Sequence, residues 1–202
     1  MLNEQLIEDI ESEMGELRAF AAACQELDRR KMRRSHLGPG GLLNFIRDTW
    51  HVLEPNRPFQ SGWALRAMCD HLQAVSEGKI RRLLINVPPG SMKSLLVNVF
   101  WPAWEWGARN RPDLRYISFS YASHLTWRDN GKFLDLLKSA VYQSLYGKRV
   151  QLREESKVKV GNTGTGCKFA TSIGGVGTGE RGDRVLLDDP HNVKESESDV
   201  VR

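Results

Sequence analysis

Apolar residues near the start of the chain recur at helical intervals: Ile7, Ile10, Met14, Leu17, Ala21 and Cys24 are spaced by 3, 4, 3, 4 and 3 residues. That stripe predicts an amphipathic helix over about residues 3–34. Its charges are sorted along its length. Glu4, Glu8, Asp9, Glu11, Glu13 and Glu16 come early and Arg29, Arg30, Lys31, Arg33 and Arg34 late, which complements the helix dipole at both ends. The stripe fits first a helix laid on a larger body or standing in solvent, and second a docking segment with its basic end near DNA. Fewer than three heptads argue against a coiled coil. Gly38-Pro39-Gly40-Gly41 stops the helix, because proline cannot continue the ladder and the glycines favour other backbone shapes; a linker or hinge is expected there.

Two further helical stretches are predicted at about 42–52 and 62–77, the latter with Leu65, Met68, Cys69, Leu72 and Val75 on one face. From Arg82 short apolar runs alternate with helical stretches: strand 82–87, helix 93–107, strand 115–120, helix 123–139 and strand 184–188. Segments near 150–153, 158–160 and 167–171 read as short strands of an inserted hairpin. This alternation predicts an α/β fold with a mostly parallel sheet and helices on both faces, preceded by a helical N-terminal segment. The expected division is an N-terminal helix over 1–37, a helical lead-in over 38–81 and a core over 82–202.

Composition narrows the class. The 202 residues are 40% hydrophobic and 27% charged, as in an ordinary globular protein. Leu95 to Trp106, the longest apolar-leaning stretch, is interrupted by Asn98, Pro102 and Glu105 and falls short of the roughly 20 apolar residues of a bilayer span. Met1-Leu2-Asn3-Glu4-Gln5 lacks the basic start of a signal peptide, so a cytoplasmic protein without a membrane partner is expected. A net charge of +4 permits contact with nucleic acid without demanding it. Cys24, Cys69 and Cys167 form no CxxC pair and read as buried thiols.

The segment richest in chemistry is Leu83-Leu84-Ile85-Asn86-Val87-Pro88-Pro89-Gly90-Ser91-Met92-Lys93-Ser94-Leu95, in which a strand is followed by a tight loop, Lys-Ser and a helix. A triphosphate site needs a cradling backbone, a lysine for the β and γ oxygens and a hydroxyl for Mg²⁺. Pro89, Gly90, Ser91, Met92, Lys93 and Ser94 are therefore candidate ATP-binding residues, and Ser94 is also a candidate metal ligand. Val87 and Met92 stand where the strict G-x-x-x-x-G-K-[ST] pattern has glycine, so an ordinary strand-to-helix turn competes with this reading. The second signal lies 95 residues after the lysine, where Arg184-Val185-Leu186-Leu187 runs into Asp188-Asp189-Pro190. Nucleotide hydrolysis needs one carboxylate for Mg²⁺, here Asp188, and a group that orients the attacking water, here Asp189.

Gly177-Thr178-Gly179-Glu180-Arg181-Gly182 fits G-x-G-x-x-G but leads into a strand instead of opening a helix, so a dinucleotide site is rejected. Arg181 is a candidate γ-phosphate sensor or finger, or else a solvated loop arginine. Gln60, beside Phe59 and Trp63, is a candidate adenine contact. Trp101, Trp104 and Trp106 read as core. Arg81, Arg82, Arg109, Arg111, Arg115, Lys148, Arg149 and Arg153 read as solvated surface or a DNA-facing rim. His71, His124 and His191 have no metal-ligand spacing.

Taken together, Val87 to Ser94, Phe100-Trp101-Pro102-Ala103-Trp104, Ser118-Phe119-Ser120-Tyr121-Ala122, Thr178-Gly179 and Leu187-Asp188-Asp189-Pro190-His191 make the chain resemble the ATPase part of the large terminase subunit of tailed phages. The likeness covers roughly residues 55–202. It implies a P-loop NTPase fold of the additional-strand, RecA-like type. It also implies ATP hydrolysis with Mg²⁺ that drives double-stranded DNA into proheads in a bacterial host's cytoplasm. The implied partners are double-stranded DNA, the portal protein, the small terminase subunit and further copies in a ring on the portal. Many relatives carry an arginine within the phosphate loop, and this loop has none. Thirteen residues follow Asp189, so the core reads as truncated, with the coupling motif and the nuclease domain of such proteins expected outside this chain and no DNA cleavage by it. Two other readings stay open: another DNA-dependent P-loop ATPase, and a nucleotide-binding remnant without turnover.

Overall fold

The structure, a computed structural model, describes residues 2–174 and 179–190. Helix α1 (Leu2–Ser35) agrees with the periodicity, but its stripe is not laid on the body: Ile7, Ile10, Met14, Leu17, Phe20 and Leu27 are all exposed. Only its C-terminal end packs, against α2 (Gly41–Leu53) and α7 (Ala140–Tyr146). Glu26 accepts hydrogen bonds from Arg29, Arg30 and Arg33, which hold its carboxyl down at about 2.

The glycine-rich turn after α1 is not a free hinge. His36 is fully buried, with Nδ1 2.7 Å from the Tyr146 hydroxyl and Nε2 2.8 Å from Asp48. Its carbonyl accepts from the Trp104 indole at 2.7 Å. A Cβ on Gly41 would stand 2.4 Å from that same carbonyl oxygen, so only glycine lets the chain turn this tightly.

Helix α3 (Trp63–Ser76) turns Leu65, Met68, Cys69 and Leu72 inward, as its pattern predicts. The stretch expected as one helix over 93–107 has three parts: α4 (Lys93–Leu95), a π turn (Leu96–Phe100) and α5 (Trp101–Gly107). Trp101, Trp104 and Trp106 are buried in the core. The Trp106 ring meets Phe133 edge-on at 5.2 Å and Tyr116 at 6.4 Å. Of the cysteines read as buried thiols only Cys69 is buried, where burial pushes its thiol up to about 12; Cys24 is exposed and Cys167 half-buried.

The sheet corrects the fold expected from the sequence. It has five strands in the order β2-β3-β4-β1-β5, where β1 is Arg115–Ser120, β2 Leu152–Glu155, β3 Lys159–Asn162, β4 Cys167–Ser172 and β5 Arg184–Leu187. Strand β1 pairs in parallel with β4 and β5, whereas β3 runs antiparallel to both β2 and β4. It is a mixed sheet, not the mostly parallel RecA-like, additional-strand arrangement. The reason is connection length. Strands β2, β3 and β4 follow one another through turns of a few residues, and a parallel pair needs a crossover of a dozen or more. Asn162 closes the second turn by accepting from the amides of Gly164 and Gly166 at 2.8 and 3.3 Å. The three segments read as an inserted hairpin thus form three of the five strands of the main sheet.

The strand expected at 82–87 is also absent. Leu83, Ile85 and Val87 are half-buried while Leu84 and Asn86 are exposed, so the period-two pattern is real, but the segment has no backbone hydrogen-bond partner among the described residues. A cavity of about 570 Å³, lined by Leu83, Leu84, Ile85, Val185, Leu186 and Leu187, separates it from β5. Alternation reports which face is buried; it does not report what pairs with the edge.

Helix α6 (Ser123–Lys138) packs on β4, β1 and the π turn. Strand β5 is fastened to α5 by an ion pair between a buried carboxylate and a half-buried guanidinium. Arg184 donates to Glu105 at 2.9 and 3.3 Å and lies 5.6 Å over the Trp101 ring, and the Tyr116 hydroxyl donates to the same carboxylate. No helix among the described residues is long and apolar enough to cross a membrane. Removing one member of a buried pair leaves the other charge uncompensated, so Glu105→Ala is expected to cost about 3–5 kcal/mol in urea unfolding. A loss below about 1 kcal/mol, the range of an exposed pair, would show that the pair does not hold the two elements together.

Candidate functional site

The loop after Val87 turns through two left-handed residues. Gly90 has φ 82° and Met92 φ 63°, and the Ser91 hydroxyl donates to the Pro88 carbonyl at 2.6 Å. Met92 occupies the position where the strict phosphate-loop pattern has glycine, and its backbone has the shape that favours glycine there. A left-handed non-glycine residue costs roughly 1–2 kcal/mol. Here the Met92 side chain is half-buried against the core, which offsets part of that. Lys93 then opens the helical run that continues through the π turn.

The acid pair arrives from the far end of the sequence on β5. The Asp188 amide donates to Phe119 O at 2.9 Å, and the Tyr121 amide donates to Asp189 O at 3.2 Å, so the end of β1 sets both acids. Asp189 takes φ 46°, which an aspartate tolerates better than most residues. Lys93 Nζ lies 3.3 Å from Asp188 and donates a hydrogen bond to Asp189. Burial alone would lower the Lys93 ammonium, but the two carboxylates outweigh it and hold it above its usual value. It is charged throughout the neutral range.

A cavity of about 480 Å³ opens over the loop. Pro89, Gly90, Ser91, Met92, Lys93, Ser94 and Asp189 line it, and Asp188 reaches Lys93 from beneath. The other two candidates are not brought there: Gln60 and Arg181 are both exposed and line neither cavity. Thr178 and His191 lie outside the described residues. Of the basic residues read as a DNA-facing rim, Arg109 lies over the Trp104 ring, Arg111 pairs with Asp113 at 2.9 Å, and Arg149 donates to Gly107 O at 3.2 Å.

The structure adds residues that sequence reasoning missed. Arg128, Asp129 and Lys132 of α6 form the far wall of the loop cavity. Asn98, buried on the π turn, donates from Nδ2 to Asp188 at 3.2 Å and to Asp129 at 3.4 Å, while its Oδ1 has no partner. A π turn shifts the phase of the residues it carries, and this one sets an amide between two acids. The one signal in the sequence was a polar residue interrupting an apolar run. Burial raises the Asp129 carboxyl, and Arg128 beside it pulls the other way.

Among the described residues no three His, Cys, Asp or Glu side chains are grouped to hold a metal ion. The oxygen donors of Ser94 and Asp188 fit Mg²⁺, a hard cation that takes one or two carboxylates and completes its shell with phosphate and water.

Behind the site, Lys168 of β4 is fully buried, with Nζ 2.5 Å from Asn130 Oδ1 and 5.7 Å from the centre of the Phe133 ring. Burial pulls its ammonium from 10.5 down to about 7, while the charge of Asp129 opposes the shift. Between these two values the unfolded chain holds the proton that the folded chain has lost, so Lys168 makes stability rise as pH increases from about 7 toward 10.5. Lys168→Met removes that dependence. The variant is expected to exceed the wild type by a few kcal/mol in urea unfolding at pH 6, on the order of 1.4 kcal/mol for each tenfold loss of proton affinity on folding, with the gap closing toward pH 10. A gap that stayed constant with pH would show that Lys168 keeps an ordinary lysine's affinity for its proton.

The chain matches no protein-family model, no curated protein and no solved structure.

Proposed function

We propose that this chain binds ATP with Mg²⁺ over the loop 87–94 and hydrolyses it, as the ATPase part of a phage large terminase that drives double-stranded DNA into proheads. One observation carries the nucleotide part: Lys93 meets both Asp188 and Asp189 at the mouth of a loop-lined cavity, although 95 residues separate the lysine from the first acid. The packaging role, with the portal, the small subunit and a ring of copies as partners, rests on the resemblance of the motifs.

The chemistry follows from the ion pairs. Phosphate oxygens compete with Asp189 for the Lys93 ammonium, and their higher charge favours the exchange. Asp189, 65% exposed, is then free to accept a hydrogen bond from a water and orient it. Ser94 and Asp188 would hold Mg²⁺, which neutralises charge on the β and γ oxygens. The Asn98 amide keeps Asp188 in place from the side away from Lys93. A second reading, binding without turnover, is favoured by the position of Arg181, which is outside the cavity.

Lys93→Ala is expected to weaken binding of a fluorescent ATP analogue by about 10- to 100-fold, the worth of charge-assisted hydrogen bonds. Asp189→Asn frees Lys93, so it should bind at least as tightly as wild type while turnover drops by about 10²–10⁴-fold. Retained binding with no wild-type turnover, even with DNA and portal present, would favour the second reading. No binding at all would overturn the proposal.

A further inference from the structure

We infer that Arg128 reads the terminal phosphate of the bound nucleotide, in the role for which the loop offers no arginine. The inference rests on the function proposed above and deepens it. Arg128 and Lys132 lie one helical turn apart on α6 and face the loop across the cavity. Lys132 is drawn outward, 3.6 Å from Glu54. Arg128 is turned inward: its Nε and Nη2 lie 2.9 and 2.8 Å from Asp129 Oδ1. Its side chain is 54% exposed, and no partner holds Nη1 among the described residues.

The tether links Arg128 to the reacting end of the site. Asp129 holds Arg128 with Oδ1 and receives the Asn98 amide on Oδ2; the same amide group reaches Asp188, which pairs with Lys93. Arg128 is thus joined to Lys93 through Asp129, Asn98 and Asp188. Without ligand, each of the three cations has an acid of its own: Lys93 has Asp188 and Asp189, Arg128 has Asp129 and Lys132 has Glu54. A triphosphate brings negative charge that only these cations can meet, by leaving their acids. Of the three cations, Arg128 alone has a planar fork with an unused donor, and that fork suits a phosphate's paired oxygens. Asp129 is its parking place: it keeps a long side chain over the cavity and releases it to a stronger acceptor.

The test compares Mg²⁺-dependent binding of a fluorescent β,γ-imido triphosphate and of the matching diphosphate to the full chain. Wild type is expected to favour the triphosphate. In Arg128→Ala that preference should fall by about 10-fold or more, as expected for a charge-assisted pair, with diphosphate affinity within about twofold at a temperature where the variant is folded. Arg128→Lys should recover part of the preference, since it restores charge without the fork. If Arg128→Ala does not fold, Arg128→Gln and Arg128→Lys carry the same comparison. An unchanged triphosphate-to-diphosphate ratio overturns the assignment and leaves the nucleotide site standing, and so does a wild type that binds both equally. A wild type that binds neither analogue overturns the proposed function itself and the assignment with it.

Discussion

Glu105 has almost no contact with water, and three parts of the chain converge on its carboxylate: α5, to which it belongs, β1 through the Tyr116 hydroxyl, and β5 through Arg184. Taking these charges out of water is costly, and the arrangement is tolerated because each has its partner in place. The consequence reaches beyond local stability. Helix α5 continues the run that starts at Lys93, and β5 leads into Asp188, so the Glu105–Arg184 pair sets the loop 87–94 and the acid pair relative to each other. Without it, β5 would be an edge strand held by β1 alone on one side and open to a cavity on the other.

The site has the electrostatics of a balanced, occupied pair. Lys93 is neutralised by its own acids. On the proposed function, a polyphosphate would displace those acids by its higher charge, and selectivity for a highly charged ligand would follow from that competition. The buried polar residues behind it, Asn98, Asp129, Asn130 and Lys168, extend the same system into the layer between α6 and the sheet. There an unpaired group is expensive, and the partnerless Asn98 oxygen next to the acids and the Ser118 hydroxyl on β1 are the exceptions among the described residues.

Much of this was legible in the sequence because it is local. The period of α1, the turn at Gly38–Gly41, the inward face of α3 and the loop-lysine-serine run each depend on neighbours in the chain. Most of the misreadings concern a partner distant in sequence; the antiparallel run β2–β3–β4, set by turns of a few residues, is the exception. Residues 82–87 have a strand's alternation and no pairing edge among the described residues. The segments between α7 and β5 read as an insertion, while they supply three of the five strands. His36 carried no signal, since its value lies in Tyr146, Asp48 and Trp104. Arg128 and Lys132 looked like any charged pair on a helix face.

By itself the sequence determined which residue types were available for phosphate chemistry and in what order: a lysine and a hydroxyl after a tight loop, then two acids after an apolar run. Those assignments depend on short-range rules of backbone shape and charge. Tertiary structure alone decided that the lysine meets both acids, that the sheet is mixed, and that an arginine of α6 hangs over the cavity while Gln60 and Arg181 stand apart. The lysine–acid, β1–β4 and Asn98–Asp129 contacts join positions some thirty to a hundred residues apart in sequence, and no local propensity encodes them. They follow from burial of the aromatic core and from the few charges that fold inward only with a partner to meet.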